Sequence, residues 1–158
     1  MNTKKNLLRA IRRQNPEWVP NGMEAAVTVM SPVTERPARA GLDAFGVPWA
    51  YDALAEGGTY PAKADPVIPD LERWEEYLRQ PDLNALDWDG LARQAEALDR
   101  DTCLVSGFVE MELFERSYLL LGMEEALVGY IEAPEAMRGL LRALADYKID
   151  VIRRMHAA

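Results

Sequence analysis

Three glutamates follow a short apolar run near the middle of the chain. The run Cys103–Val109 is brief, partly β-branched and interrupted by a glycine, which is typical of a buried strand. Glu110, Glu112 and Glu115 come directly after it. Carboxylates in this position could orient a substrate or act as a general acid or base. They could equally be solvated charges in the first turn of a helix, where free N–H groups attract negative charge, so the sequence assigns no catalytic residue.

Residues that bind zinc or act as nucleophiles are scarce. Cys103 and His156 are the only cysteine and histidine, and they lie far apart in the sequence. A zinc site needs several such ligands at close spacing, so no metal site is predicted within this chain. A catalytic triad lacks a suitable histidine for the same reason, and Gly57-Gly58 lacks the spacing of a phosphate-binding loop. Cys103 is predicted to be a buried core thiol.

The elements before residue 69 must position these groups. The spacing of apolar residues predicts a helix over 4–13, with Thr3 as its N-cap, and a strand over 25–30. Alternating apolar residues predict an edge strand over 44–51, interrupted by Gly46 and Pro48. Residues 53–68 are rich in glycine and proline and predict a long surface loop.

Helices dominate the remainder. Helices are predicted over 70–80 and over 88–98, the second capped by Asp87, and both precede the strand near residues 103–109. Another helix ends at Gly122, a further one covers 123–133, and Pro134 opens the last. We predict a single partial domain over 1–158, in which 1–68 holds the amino-terminal helix, strands and long loop, and 69–158 holds helices around the strand near 103–109.

Charge and composition exclude several classes of partner. The net charge is −8, and five basic residues lie within the first thirteen, which leaves 13 basic against 26 acidic residues elsewhere. The acidic remainder of the chain would repel nucleic acid and anionic membranes. The basic residues among the first thirteen are predicted to form the solvated face of a surface helix rather than a phosphate-binding arm. A single cysteine, with no long apolar run and no leader, predicts a cytoplasmic protein.

Three segments in register resemble one protein family. Phe114-Glu115-Arg116 and the following residues to Pro134-Glu135 resemble the "LFER…L.G.E..L…..PE" segment of the uroporphyrinogen decarboxylase superfamily. Asn2–Pro20 resembles the amino-terminal helix and strand entry of these proteins. Asp43–Trp49, DAFGVPW, and then Gly57-Gly58-Thr59-Tyr60-Pro61 resemble a further block. The resemblance covers essentially the whole chain.

This resemblance implies a fold class of α/β type. The superfamily forms a (β/α)8 barrel, which needs about 250 residues. The chain has 158 residues, so we expect the amino-terminal half of a barrel, helix-rich with a few short, mostly parallel strands. We also expect it to associate with a carboxyl-terminal half or to form a homo-oligomer, because a half-barrel leaves strand edges unpaired.

The residues favour one branch of the superfamily over another. The decarboxylase binds its acidic substrate through an arginine-rich loop after the first strand. The matching segment 21–26 of this chain contains Glu24 and no arginine. Arg36 and Arg39 come later and could take the place of that loop. Uroporphyrinogen decarboxylation is therefore the less favoured activity. The resemblance instead implies part of a corrinoid-dependent methyltransferase, which moves a methyl group between a methyl-corrinoid protein and a thiol or tetrahydrofolate. In that branch, zinc is held by residues of the carboxyl-terminal half, so zinc and a corrinoid partner are implied only for the full-length protein.

The same resemblance gives candidate pocket residues. Besides Glu115, they would be Met23, Glu24, Tyr60, Phe108, Glu110 and Phe114. The alternative hypothesis is a non-catalytic half-barrel that acts as a binding or assembly module. We expect the chain alone to be inactive under either hypothesis.

Overall fold

The computed structural model describes residues 1–54 and 58–158, and the structure is of mixed α/β type. Its helices are α1 (Thr3–Ile11), α2 (Gly22–Ala25), α3 (Trp74–Tyr77), α4 (Trp88–Glu96), α5 (Leu113–Leu121), α6 (Met123–Glu132) and α7 (Pro134–Ala157). Its strands are β1 (Ala26–Met30), β2 (Gly41–Leu42), β3 (Pro48–Asp52), β4 (Gly58–Pro61) and β5 (Leu104–Phe108). Short 3-10 helices cover Leu71–Arg73 and Leu83–Ala85.

The chain divides into two compact units, each built from separate stretches of sequence. The first unit comprises Met1–Pro32, Asp87–Val109 and Ile152–Ala158. The second comprises Val33–Leu86, apart from residues 55–57, and Glu110–Val151.

A parallel pair of strands is the centre of the first unit. β1 and β5 pair in parallel, with Val29 opposite Gly107 and Met30 opposite Phe108. The predicted strands at 25–30 and near 103–109 are thus confirmed to within one or two residues. Cys103 is an exception, because it precedes β5 and is only half-buried rather than a core thiol.

The two faces of this sheet differ. Val29 is 3% exposed, and with Val105 and Gly107 it faces a cavity that is also lined by α4 and the end of α7. A Cβ built on Gly107 would lie 3.2 Å from Met155 Cε, so helix packing on this face is close. On the alternate positions, Met30 and Phe108 are 44% and 48% exposed, and Thr28 and Ser106 are exposed as well. One face of the sheet is therefore covered by helices at Val29, although Val27 and Gly107 on it are exposed, and the other face is open near its carboxyl end.

The second unit contains an antiparallel sheet in the order β2-β3-β4. The expectation of mostly parallel strands is wrong for these three. The predicted surface loop over 53–68 is also wrong in part, because it contains β4 and ends at Ile68, which is 1% exposed. Gly57 of the predicted loop and of the resembling block lies outside the described residues.

The predicted strand over 44–51 begins later than its alternation of apolar residues suggests. β3 starts at Pro48, yet Phe45 and Val47 are already buried. They lie in a turn in which one carboxylate oxygen of Asp43 accepts hydrogen bonds from the Phe45 and Val47 amides, both at 2.9 Å. Gly46 has a φ of 86°, which glycine adopts without strain. The alternation thus comes from a turn followed by a strand.

Helices α5, α6 and α7 supply most of the apolar core of the second unit. Their fully buried side chains include Leu120, Ala126, Leu140 and Leu144. Gly122 ends α5 with a φ of 90°, and Pro134 opens α7, so both predicted boundaries are confirmed.

Two smaller predictions about helices are wrong. The cap of α1 is Asn2, whose side chain accepts from the Lys5 amide at 2.9 Å, rather than Thr3. The helix predicted over 70–80 is a 3-10 turn followed by α3, because Leu78 is already extended with a ψ of 123°.

Candidate functional site

A buried ion pair joins two motifs of the second unit. Arg116 on α5 donates to Asp43 over 2.6 Å, and both side chains are 0% exposed. The Asp43 carboxylate stabilises the turn before β3 through its bonds from the Phe45 and Val47 amides. It also accepts a hydrogen bond from Trp49 Nε1 at 3.3 Å. Arg116 donates a second hydrogen bond to the Glu35 carbonyl at 3.3 Å. The pair therefore fixes α5 against the segment from residue 35 to residue 49.

A second buried pair lies beside the first. Lys148 on α7 donates to both carboxylate oxygens of Glu35, each at 2.6 Å. The two side chains are 12% and 2% exposed. Because Arg116 bonds the carbonyl of the same Glu35, the two pairs form one array, which we call the ionic cluster: Glu35, Asp43, Arg116 and Lys148.

Aromatic side chains enclose this cluster. The Phe45 ring lies 4.3 Å from the Arg116 guanidinium carbon and meets Tyr147 edge to face at 5.2 Å. Among the described residues, neither Arg116 Nε nor the Tyr147 hydroxyl has a hydrogen-bond partner. Two buried polar groups beside paired charges are what an ordered water or a small polar ligand would satisfy.

Burial shifts the titration of the cluster. Desolvation raises the pKa of Glu35 above its ordinary value, and the bond and charge of Lys148 only partly oppose this rise. Desolvation likewise lowers the pKa of Lys148, against the opposing effect of Glu35. Desolvation and the Glu35 charge raise the pKa of the Tyr147 hydroxyl. Burial therefore favours the neutral forms of Glu35 and Lys148, while their mutual attraction favours the charged forms.

Lys148 also reaches the segment that leads into α5. Its ammonium group donates to the backbone carbonyl of Glu110. Met111, the next residue, has a backbone φ of 51°, which is unusual for a residue other than glycine. The ionic cluster thus holds the stretch in which the sequence predicts a pocket carboxylate.

The predicted pocket residues of the second unit have unequal surroundings. Glu115 accepts from the Glu112 amide at 3.0 Å, which is the role of a helix-capping carboxylate. Phe114 is 46% exposed and meets Tyr118 edge to face at 5.5 Å. Tyr60, in β4, is 50% exposed. Glu110 is half-buried.

The other predicted pocket residues belong to the first unit. Met23 is 85% exposed in α2, and Phe108 lies on the open face of the sheet. Glu24 accepts from Trp18 Nε1 at 2.7 Å, so its carboxylate closes a local contact at the start of α2.

The guanidinium group of Arg36 makes contacts within the second unit. Its guanidinium donates to the Thr59 carbonyl at 2.6 Å and to the Thr59 hydroxyl at 3.2 Å, and it lies over the Trp49 ring. These contacts tie it to β3 and β4 as a structural group.

Among the described residues, neither His156 nor Cys103 belongs to a group that could hold a zinc ion. His156 lines the cavity of 340 Å³ in the first unit, whose lining contains no cysteine, aspartate or glutamate. Cys103 Sγ donates to the Asp99 carbonyl at 3.2 Å. Within residues 1–54 and 58–158, no three potential ligands of these types are grouped for a metal.

No protein-family model, curated protein or solved structure matches the chain. The family resemblance therefore stays a prediction that rests on sequence motifs. In the part of the chain that the structure describes, no helix is long and apolar enough to cross a membrane.

Sequence reasoning noted Asp43 and Arg116 as parts of motifs but did not predict the ionic cluster. A signal was present, since Arg116 is followed at one-turn spacing by the buried Leu119 and Leu120. A charge on an apolar helical face indicates a buried ion pair. No comparable signal marks Glu35, which lies in an irregular segment.

Proposed function

We propose that the chain forms part of a (β/α)8-barrel enzyme of the uroporphyrinogen decarboxylase superfamily, in its corrinoid-dependent methyltransferase branch. Such an enzyme moves a methyl group between a methyl-corrinoid protein and a thiol or tetrahydrofolate. In this proposal β1 and β5 are neighbouring barrel strands, and further strands complete the sheet on both sides.

The single observation that carries the proposal is the two-faced parallel sheet. In a barrel, helices cover the outer face of the strands and the inner face points to the axis. The carboxyl-terminal part of the β1–β5 pair has this pattern, because Val29 is buried and lines a cavity with helical residues, while Met30 and Phe108 on the other face are exposed. Among the described residues, each of the two strands pairs only with the other.

The carboxyl ends of barrel strands carry the active site. Met30 and Phe108 are the last residues of β1 and β5 and lie opposite each other in the register. They are therefore the groups of the first unit that we assign to the substrate pocket. Glu110 follows Phe108 closely in the sequence, and on that ground alone we keep it as the candidate pocket carboxylate.

The decarboxylase branch fits less well. Its substrate bears several carboxylates, which need cationic partners in the pocket. Segment 21–26 holds a glutamate, and Arg36 is bound to Thr59. The zinc of the methyltransferase branch would supply Lewis-acid activation of the acceptor thiol. Its ligands would have to come from outside this chain, so we assign no step through zinc to the residues described here.

The test is reconstitution of the whole barrel. DNA downstream of codon 158 would be sequenced, and any encoded polypeptide with a His-x-Cys pair and a later cysteine would be co-expressed with the chain. Methylcobalamin would then be mixed anaerobically with a thiol or with tetrahydrofolate, and the methylated product measured by mass spectrometry. We expect turnover by the complex, none by the chain alone, and reduced turnover for Phe108→Ala. Turnover of uroporphyrinogen instead of methyl transfer would overturn the proposal.

A second candidate function is a non-catalytic assembly module. The observation that favours it is the same open sheet, since unpaired strands are templates for association. A downstream frame without such a polypeptide, together with a stable complex that lacks turnover, would favour this function.

A further inference from the structure

Lys148 uses all of its hydrogen-bonding capacity inside the second unit. An ammonium group has three N–H donors and no acceptor. Its three acceptors here are the two carboxylate oxygens of Glu35 and the carbonyl of Glu110. Moving a largely buried lysine that is bound in this way is unfavourable, because it would leave a charge or a carbonyl without a partner.

The acceptor at Glu110 lies next to an unfavourable backbone conformation. Met111 has a φ of 51°, and left-handed geometry of this kind costs a residue with a Cβ roughly 1 kcal/mol. Such a conformation persists only where the surroundings impose it. The bond from Lys148 to the preceding carbonyl is a contact that can impose it.

The rest of the cluster fixes Lys148 in turn. Glu35 is held at its carbonyl by Arg116, which is itself paired with Asp43. Lys148 is therefore bonded on one side to the array of Glu35, Arg116 and Asp43, and on the other to the Glu110 carbonyl, at the start of the segment Glu110–Glu112. This arrangement transmits the position of the array to that segment.

We propose that Lys148 is a positioning residue that holds Glu110–Glu112 in place and so sets the location of the Glu110 carboxylate. This role rests on the proposed function for its catalytic consequence, since Glu110 is the pocket carboxylate assigned there. The positioning itself is a property of the folded chain and is measurable without any activity.

Two variants separate positioning from the burial of charge. Glu35→Gln removes the carboxylate charge and keeps the bond from Lys148 to Glu110. Glu35→Gln/Lys148→Met removes that bond as well, and leaves no unpaired buried charge. Hydrogen exchange would be measured at the Met111, Glu112 and Leu113 amides, with the Leu140 and Leu144 amides of α7 as internal references.

Glu35→Gln leaves the Lys148 charge without its carboxylate, so the two variants can differ in global stability and exchange is expressed relative to the α7 reference amides. On that scale, the double variant is expected to raise exchange at the three segment amides about tenfold over Glu35→Gln. Equal exchange in the two variants would overturn the proposal, as would an equal increase at the α7 amides, because the effect would then be one of global stability. Should the double variant fail to fold, the measurement moves to Lys148→Arg. Its planar guanidinium keeps the charge opposite Glu35 but places all donors in one plane. Faster exchange at the segment is again expected, and unchanged exchange overturns the proposal.

The catalytic consequence is tested in the reconstituted enzyme. The double variant is expected to lower kcat for methyl transfer about tenfold, because the Glu110 carboxylate is no longer held in position for the reaction. KM is expected to stay within about threefold, because the other groups that bind the substrate are unchanged. An unchanged kcat alongside faster exchange would overturn the consequence for Glu110. If the parent enzyme shows no methyl transfer while the exchange result holds, the proposed function fails and the positioning role stands.

Discussion

Arg116 places a full positive charge where no part of its side chain meets solvent. Removing such a charge from water is unfavourable, and the attraction of Asp43 offsets this only because the geometry is close and further bonds are made. A buried pair of this kind adds little net stability over a well-packed apolar pair. Its main effect is to fix which segments meet, here α5 and the turn before β3.

The first prediction concerns the loss of one partner. Asp43→Asn keeps an oxygen that can accept from the Phe45 and Val47 amides but removes the charge opposite Arg116. We expect the free energy of unfolding to fall by about 3–5 kcal/mol, because an uncompensated charge remains buried. Urea denaturation measures this change.

The exposed pair between Arg138 and Glu135 is the matched control. Its side chains are 63% and 82% exposed, so Glu135→Gln is expected to change stability by less than about 1 kcal/mol. The variant Asp43→Asn/Arg116→Met should lose less stability than the two single variants together. Additive losses, or a small loss for Asp43→Asn alone, would contradict the interpretation of a coupled buried pair.

The second prediction concerns the pH dependence of stability. Burial raises the pKa of Glu35 above its ordinary value of 4.5. The folded chain therefore holds this proton more tightly than the unfolded chain. The Glu35 contribution to the free energy of unfolding is complete below pH 4.5 and is lost as the pH rises through the folded-state pKa. Relative to Glu35→Gln, the parent chain should thus lose stability as the pH increases above 4.5.

The contribution of Lys148 to the free energy of unfolding depends on pH in the opposite direction. Desolvation lowers its pKa from 10.5, so its contribution is present above pH 10.5 and is lost as the pH falls through the folded-state pKa. Denaturation curves from about pH 4 to about pH 7 measure the Glu35 effect, and Glu35→Gln/Lys148→Met is the control that lacks both groups. A parent chain that gains stability over Glu35→Gln across this range would contradict the prediction.

Single residues were predictable where their effect is local. Asp87 as a helix cap is confirmed, since its carboxylate accepts from the Gly90 amide at 2.7 Å. The pairing of Glu35 with Lys148 spans 113 positions of sequence, and no local pattern encodes that distance. The ionic cluster is therefore a product of tertiary folding that sequence reasoning could not place.

At the scale of elements, the helix boundaries could be predicted from the glycine and proline that mark them. The antiparallel sheet could not be predicted from the sequence. Gly122 and Pro134 act through backbone geometry that is the same in any context. β4 is a strand because it pairs with β3, with Tyr60 opposite Ala50. Its own sequence, with glycine and proline, is typical of a loop, and pairing overrides this propensity.

The third prediction concerns the junction of α5 and α6. Gly122 has a φ of 90° and nothing lies within 4 Å of a Cβ built on it, so the effect of a side chain there is conformational. Gly122→Ala is expected to lower the free energy of unfolding by roughly 1 kcal/mol or more. Gly41→Ala is the control, because Gly41 has equal space and no positive φ. Thermal denaturation compares the two variants, and an equal effect would contradict the strain at Gly122.

At the scale of the whole molecule, the α/β class was predictable and the division into two units was not. Each unit combines distant stretches of sequence, such as residues 1–32 with 87–109. Composition and periodicity describe one stretch at a time, so they do not reveal which stretches pack together. We expected parallel strands because of the resemblance, and of the described strands β1 and β5 pair in parallel.

The last prediction concerns association through the open face of the β1–β5 sheet. Exposed strand edges beside exposed apolar side chains favour pairing with another chain. We expect the chain to self-associate at high concentration in the absence of a partner, as measured by light scattering. Phe108→Lys places a charge on this face and should shift the mass toward that of the monomer, while circular dichroism stays unchanged. Ile131→Lys is the matched control, because Ile131 is 82% exposed on α6, and it should leave association as it is. A strictly monomeric parent chain, or equal effects of the two substitutions, would show that this face is not the site of association.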